Sequence, residues 1–404
     1  MALGTFMWTW ARAHAVVAPL NLLIFFFTIG DALVASLPAS LIELQLASCR
    51  GVTAGARLDH VHALGRLHCI DTQLAPAALA ACRERGCVVP AAHQLRGHMT
   101  YVGSFAVLCD GRLASGDYGG TVRLWDVAAA DGRVTAVLRT GDVVRALAAL
   151  PDGRRLAIGI APWVRNTGCI EVWDVGGVVP VHRATINCRR GVLALAVLPD
   201  GRLAAGCADS AVRIVDVDAG AVTATLRGHT SVVSALAVLP DGMLASGSWD
   251  KTVRVWNVGA RACVATLAGH SLEVRCLAVL PDGRLASVAR SDAVRLWDVG
   301  TRTCVGELTG HTDWERSLAV LPDGRLAAGC RDGTVWLWDT RPAAAAAVSR
   351  AAGAAPVEVV GVFGVEVGAL AALPNGRLAC AGCTAATEPG LAYLLDVPPP
   401  AACE

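Results

Sequence analysis

Cysteine, histidine, serine and acidic residues are the side chains of this 404-residue chain that could do chemistry, and their spacing argues against most of it. Cys380 and Cys383 form a CxxC pair, the spacing that holds zinc or cycles between dithiol and disulfide. No second CxxC follows, and the stretch LACAGC lines up with LASGSW earlier in the chain, an ordinary strand. Gly116 to Gly120 (GDYGG) is glycine-rich but reads as a turn between strands, not as a phosphate cradle. The signatures GxxxxGK(S/T), HExxH and GxSxG do not occur. No catalytic residue, metal or cofactor is expected, and the chain is read as a binding protein rather than an enzyme.

Composition narrows the partners. With 35 basic and 34 acidic residues the formal charge is +1, so no bulk positive field is available for nucleic acid. Most of the fifteen cysteines recur inside repeated strands, as at Cys207, Cys263, Cys276, Cys304 and Cys330. A free cysteine in a strand behaves as a small buried hydrophobe. That usage fits a reducing, cytoplasmic compartment better than the disulfide framework of a small secreted domain.

The elements that must position any site are repeats. Seven times a stretch close to LAVLPDGRLASG is followed about ten residues later by something close to VRLWDV. The cleanest copies run Leu236 to Val258, Leu277 to Val299 and Leu318 to Thr340, and Val215, Trp256, Trp297 and Trp338 follow one another at a constant interval. That interval is a period of roughly 40 residues, which signals a repeat architecture. Each copy reads as four strands. An alternating apolar strand runs to a Pro-Asp-Gly turn, where glycine supplies a positive φ, and a second strand, a third ending in Trp-Asp and a fourth follow.

Gly97-His98, Gly228-His229, Gly269-His270 and Gly310-His311, with Trp125-Asp126, Trp173-Asp174, Trp297-Asp298 and Trp338-Asp339, make the chain resemble the WD-repeat β-propeller family over roughly residues 87–398. The resemblance implies an all-β fold, a seven-bladed propeller of four-stranded blades, monomeric, that binds proteins or peptides. It also implies a buried network in each blade, complete here in blade four as His229, Ser246 (or Ser248), Asp250 and Trp256. Its partial copies are His98 and Trp125 in blade one, His270 and Trp297 in blade five, and His311, Asp332 and Trp338 in blade six. These residues are read as structural. Blade one carries Gly119 where the turn aspartate belongs, blade three has Val215 for tryptophan, and blade seven has Leu395-Asp396. The chain reaches residue 398 with a fourth strand missing, and residues 87–95 are expected to supply it; residues 399–404 form a tail.

In that family partners often dock on the face made by the loops between strands four and one and between strands two and three. The aligned rim positions here are Tyr118, Trp249, Arg290 and Arg331 before the turn, and Tyr101, Glu273 and Trp314 at the start of strand one. Trp163, inside an insertion in blade two, is a further candidate. Aromatics and arginines are the residues interface hot spots favour. Trp338-Asp339-Thr340-Arg341 also matches the Trp-Asp-x-Arg of propellers that serve as cullin-RING ubiquitin-ligase receptors, which assigns adaptor binding to Arg341.

Ahead of the repeats, residues 1–36 contain an apolar stretch, 15–29, readable as a signal, a membrane anchor through residues 13–37, or a packed helix. Residues 37–86 resemble two leucine-rich repeats, with Leu41, Leu44, Leu46 and Cys49 answered further on by Leu64, Leu67 and Ile70. Plain amphipathic helices or a degenerate F-box opening at Leu37-Pro38 are the alternatives. The N-terminal segment is thus expected to be short, and α-helical or leucine-rich.

Overall fold

The computed structural model describes residues 20–25, 41–47, 66–70, 92–128, 132–162, 167–290, 293–309, 315–331, 333–340, 358–362, 366–383 and 390–397. No helix occurs among them.

Residues 92–397 form seven four-stranded sheets. Blade one consists of Val102–Val107, Leu113–Asp117, Thr121–Asp126 and Arg133–Arg139, each antiparallel to the next. Five further blades of four consecutive strands follow at residues 144–187, 192–226, 233–268, 274–308 and 315–362. The seventh combines Glu366–Ala372, Arg377–Cys383 and Leu391–Asp396 with Ala92–Leu95, which pairs antiparallel with the third. First strands of successive blades lie side by side, and the seventh lies beside the first, so the ring is closed. Closure leaves no open sheet at the join between first and last blades.

The Pro-Asp-Gly turns and their variants work as their chemistry dictates. Gly111, Gly153, Gly201, Gly242, Gly283, Gly324 and Gly376 all have φ between +73° and +87°. Each donates its N–H back to the leucine three residues earlier, as Gly242 does to Leu239 at 2.9 Å. Only glycine adopts that φ without steric cost.

Strand three carries a bulge immediately before the tryptophan position in blades one to five, including blade three, where the residue is Val215. The kink is thus a property of the blade and not of the indole. Trp125, Trp256, Trp297 and Trp338 are almost completely buried, at 1–2 % exposure. They pack between blades: Trp256 joins a cluster with Ile214 and Val212 of blade three, and Trp297 one with Val253 and Val255 of blade four.

Residues 1–91 form a separate compact unit with Gly361–Gly364. Its described strands are Leu20–Phe25, Leu41–Ala47 and Arg66–Ile70, in one parallel sheet. Leu22 pairs with Leu44 and Leu44 with Leu67, so partners recur at nearly equal steps along the chain. Parallel pairing needs a crossover of about a dozen residues or more, which this spacing provides. Leu20–Phe25 corrects the helical reading of that part of the apolar stretch. A short apolar run suits helix and strand equally, and pairing with Leu41–Ala47 decides for strand. No helix among the described residues is long and apolar enough to cross a membrane. The remainder of residues 1–91, where helices or an F-box would lie, is outside the described residues.

Candidate functional site: networks beneath a rim of aromatics and arginines

Polar networks inside the blades underlie the rim. In blade four the Trp256 indole N–H donates to Ser246 Oγ at 2.7 Å, and Ser246 Oγ lies 2.7 Å from His229 Nε2. His229 Nδ1 lies 2.7 Å from Asp250 Oδ2. The consistent assignment is a relay: Trp N–H to serine, serine O–H to Nε2, and Nδ1–H to the carboxylate. Asp250 also caps its turn, accepting from the Thr252 N–H at 3.0 Å and hydroxyl at 2.7 Å. Burial holds the His229 imidazole below its usual pKa, against the pull of Asp250, which favours the neutral ring this relay requires. Burial pushes Asp250 the other way, but donors from Thr252, Thr230 and His229 outweigh it and hold the carboxyl below its ordinary value. Ser, His and Asp are the residue types of a hydrolase triad. Here Ser246 is fully buried and its oxygen already accepts the indole N–H, so no substrate carbonyl reaches it. Ser248 serves elsewhere, donating to the Ser231 carbonyl at 3.0 Å.

Blade one builds the same relay differently. Trp125 donates to Ser115 at 2.7 Å and Ser115 lies 2.6 Å from His98 Nε2. The carboxylate comes from Asp117, whose Oδ2 lies 2.7 Å from His98 Nδ1. Asp117 Oδ1 caps the turn through the N–H groups of Gly119 (3.0 Å) and Thr121 (2.8 Å). The sequence reading missed Asp117 because Gly119 occupies the aligned position. Residues two apart share a strand face, which was the available signal. Blade five keeps the His270–Ser287–Trp297 part, at 2.6 and 2.7 Å.

Blade three has lost histidine, serine and tryptophan together, as Cys188, Ala205 and Val215. Its Asp209 is retained and takes a bidentate pair from Arg213, at 2.7 and 2.5 Å. That guanidinium, also missed from sequence, holds the Asp209 carboxyl below its ordinary value. In blade two, Trp173 turns to Glu171 at 2.9 Å and meets His182 edge-on at 5.2 Å. Trp338 in blade six, where Ala328 replaces serine, donates to the Thr309 carbonyl at 3.4 Å. His311 and Asp332 lie outside the described residues.

The rim above these networks has two differently built parts. Around blades seven, one and two, the Tyr101 hydroxyl donates to Glu366 at 3.3 Å, the Tyr101 and Tyr118 rings lie 4.7 Å apart, and Arg145 lies 4.2 Å over the Tyr118 ring. Arg145 also donates to the Tyr118 hydroxyl at 2.5 Å. Gly103 and Gly368 make room for this ladder: a Cβ at residue 368 would fall on the Tyr101 hydroxyl, and one at 103 on the Tyr118 ring. Around blades four and five, Arg275 lies 4.5 Å over the Trp249 ring. The Trp249 indole N–H and Glu273 Oε2 are buried with no hydrogen-bond partner among the described residues. Arg290 anchors to this part through its N–H on the Glu273 carbonyl at 3.1 Å. Arg331 is exposed in the blade-six turn. Trp163, Trp314 and Arg341 lie outside the described residues. Arg145, Arg275 and Glu366 were not picked out from the sequence, because they fall outside the aligned rim positions.

No group of three or more His, Cys, Asp or Glu among the described residues could hold a metal ion. Cys380 is fully buried, and burial pushes its thiol well above the ordinary range, so it is not a poised ligand or nucleophile.

The family model for the WD domain, G-beta repeat (WD40) matches residues 91–126, 220–257, 261–298 and 302–339. The fold is similar to the crystal structure of the WD40 β-propeller domain of Doa1, at 20% identity and a TM-score of 0.62, covering 75% of this chain and 95% of that one. No curated protein matches the chain. The chain carries WD40 repeats in these four stretches, and residues 92–397 fold as a seven-bladed β-propeller. Domains of this class generally act as non-enzymatic scaffolds for protein–protein interaction.

Proposed function

We infer that the propeller binds a protein or peptide partner at the part of the rim formed by Trp249, Glu273 and Arg275, and that it has no catalytic activity of its own. One observation carries the reading: Trp249 Nε1 and Glu273 Oε2 are buried without partners among the described residues. A buried polar atom left unsatisfied costs about 1–3 kcal/mol. An extended peptide offers the complementary pair, a carbonyl for the indole N–H and an N–H for the carboxylate, once the half-buried Trp249 and Glu273 side chains turn to present those atoms. The arginine-stacked indole adds the flat apolar surface typical of hot spots.

The test is affinity capture with mass spectrometry, comparing wild type with Trp249→Ala after both are shown to melt alike. Partners captured by wild type and lost by the folded variant support the site. Equal capture by both overturns it. Free cysteines at Cys188, Cys207 and Cys380, all buried, support a reducing compartment. The parallel strands recurring at nearly equal steps support reading residues 37–86 as leucine-rich-repeat-like. Neither the ligase-receptor nor the membrane-tether reading gains an observation.

A further inference from the structure

The turns between strands one and two, and those between strands three and four, emerge on the face opposite the rim, because antiparallel strands alternate direction. Arginines staple neighbouring blades together on that face. Arg112 in blade one takes Asp110 through its backbone N–H at 3.0 Å and its Nε at 2.7 Å, then donates Nη2 to the Val175 carbonyl in blade two at 2.6 Å. Arg284 in blade five holds Asp282 at 3.1 and 2.7 Å and reaches the Thr340 carbonyl in blade six at 2.5 Å. Arg377 in blade seven reaches the Val127 carbonyl in blade one at 3.3 Å. In each case the acceptor directly follows the third-strand aspartate of the next blade. Arg155 in blade two makes the equivalent crossing to the Asp218 carboxylate at 2.6 Å.

Arg202 in blade three keeps to its own Asp200, at 2.9 and 2.6 Å, and blade four carries no turn arginine at all. Its turn reads Pro240-Asp241-Gly242-Met243, so methionine stands where the other blades carry arginine. The Met243 N–H still donates to Asp241 Oδ1 at 3.0 Å, but no guanidinium follows. Between blades four and five lies a cavity of about 320 Å³, lined by Asp241, Met243, Asp282, Arg284, Asp298 and Val299 among others. It falls at the small end of the roughly 300–1,000 Å³ typical of ligand sites. Val299 directly follows Asp298, and is therefore the counterpart of Val175, Thr340 and Val127. Three carboxylates line the cavity against one guanidinium, Arg284, which already faces Asp282 at 2.6 Å.

We propose that this cavity receives an arginine side chain from a partner protein, which takes the seat that blade four's own turn leaves empty. The junctions of blade one with two and of blade five with six show the coordination: a turn aspartate on one side and a backbone carbonyl of the following blade on the other. A planar guanidinium fork spans both, whereas an ammonium is a point charge that meets one at a time. The Met243 thioether gives the stem of the incoming side chain an apolar wall. The site lies on the opposite face from Trp249 and is independent of it.

The probe is N-acetyl-arginine methylamide, titrated into the full chain by ligand-observed NMR beside the citrulline and lysine analogues. Saturable binding of the arginine amide is expected, with the citrulline analogue at least tenfold weaker. Met243→Arg should supply the guanidinium in cis, abolish binding and leave the melting temperature equal or higher. Asp241→Asn should weaken binding at least tenfold, while Met243→Leu keeps it. Citrulline binding as well as arginine, undiminished binding by Met243→Arg, or no saturable binding to wild type each overturns the proposal.

Discussion

The two parts of the rim draw on the same residue types and use them in opposite ways. Around blades seven, one and two, Glu366, Tyr101, Tyr118 and Arg145 bond and stack on one another in a ladder that crosses three blades, with the Arg145 Nε alone of these groups left buried without a hydrogen bond among the described residues. Around blades four and five, Trp249 and Glu273 each keep a buried polar atom with no partner among the described residues. Aromatics and arginines mark an interface by composition, but the bonds they already make decide whether they are available. The first part is braced by its own contacts, and the second is the proposed receptor.

The sharpest way to break this contrast is to remove one ring from each part. Trp249→Ala is expected to cost about 2–4 kcal/mol of partner affinity, the scale of a hot spot, with little change in melting. Tyr118→Ala should do the reverse, lowering stability and leaving capture nearly intact. Equal losses of binding would erase the distinction. Next in size is Gly368→Ala, whose added methyl displaces the Tyr101 hydroxyl from Glu366; overpacking of this kind costs about 1–3 kcal/mol, read as a lower denaturant midpoint. Glu273→Gln keeps the shape and removes the charge. It should weaken partner binding by roughly threefold to tenfold, as replacing a charge-assisted bond by a neutral one does, in a salt-dependent way.

The smallest effect concerns pH. His229 has a folded pKa below its usual value, so the unfolded chain binds the proton more readily and stability rises with pH across that interval. The contribution is present above the ordinary histidine pKa near about 6.5 and is lost as pH falls through the lower folded value. Asp250, also lowered, adds a second loss below about 4. Melting of wild type between pH 7.5 and 5 should therefore fall more steeply than melting of His229→Gln.

The ring was legible because its determinants are local. A Pro-Asp-Gly turn and a Trp-Asp pair, recurring at a constant interval, specify strands, their ends and their number. What stayed hidden was reached across space. Asp117 serves His98 from two residues before the aligned position, since both positions share a strand face and only the folded turn shows which reaches the ring. Arg213 pairs with Asp209 in blade three, where three network residues are missing at once. Gly103 and Gly368 look like weak spots in strand one until the tyrosines they seat are seen. Leu20–Phe25 was ambiguous because an apolar run of that length carries no period of its own.

The pairing of Ala392 with Leu95 joins opposite ends of the repeat region, the longest reach among the described strand pairs. During synthesis, Ala92–Leu95 leaves the ribosome before any blade exists to receive it, and its partner is the last strand of the ring to be made. Six blades can form in order from neighbours, whereas the seventh waits for both ends of the repeat region to be present together. Non-local pairing of this kind is slow. Until it occurs, the nascent protein exposes two raw sheet edges, one on the early strand and one on Leu391–Asp396, and these can pair with another copy as readily as with each other. The last step of making this ring is therefore a race between self-closure and exchange, which dilution or a chaperone would tilt toward the single ring.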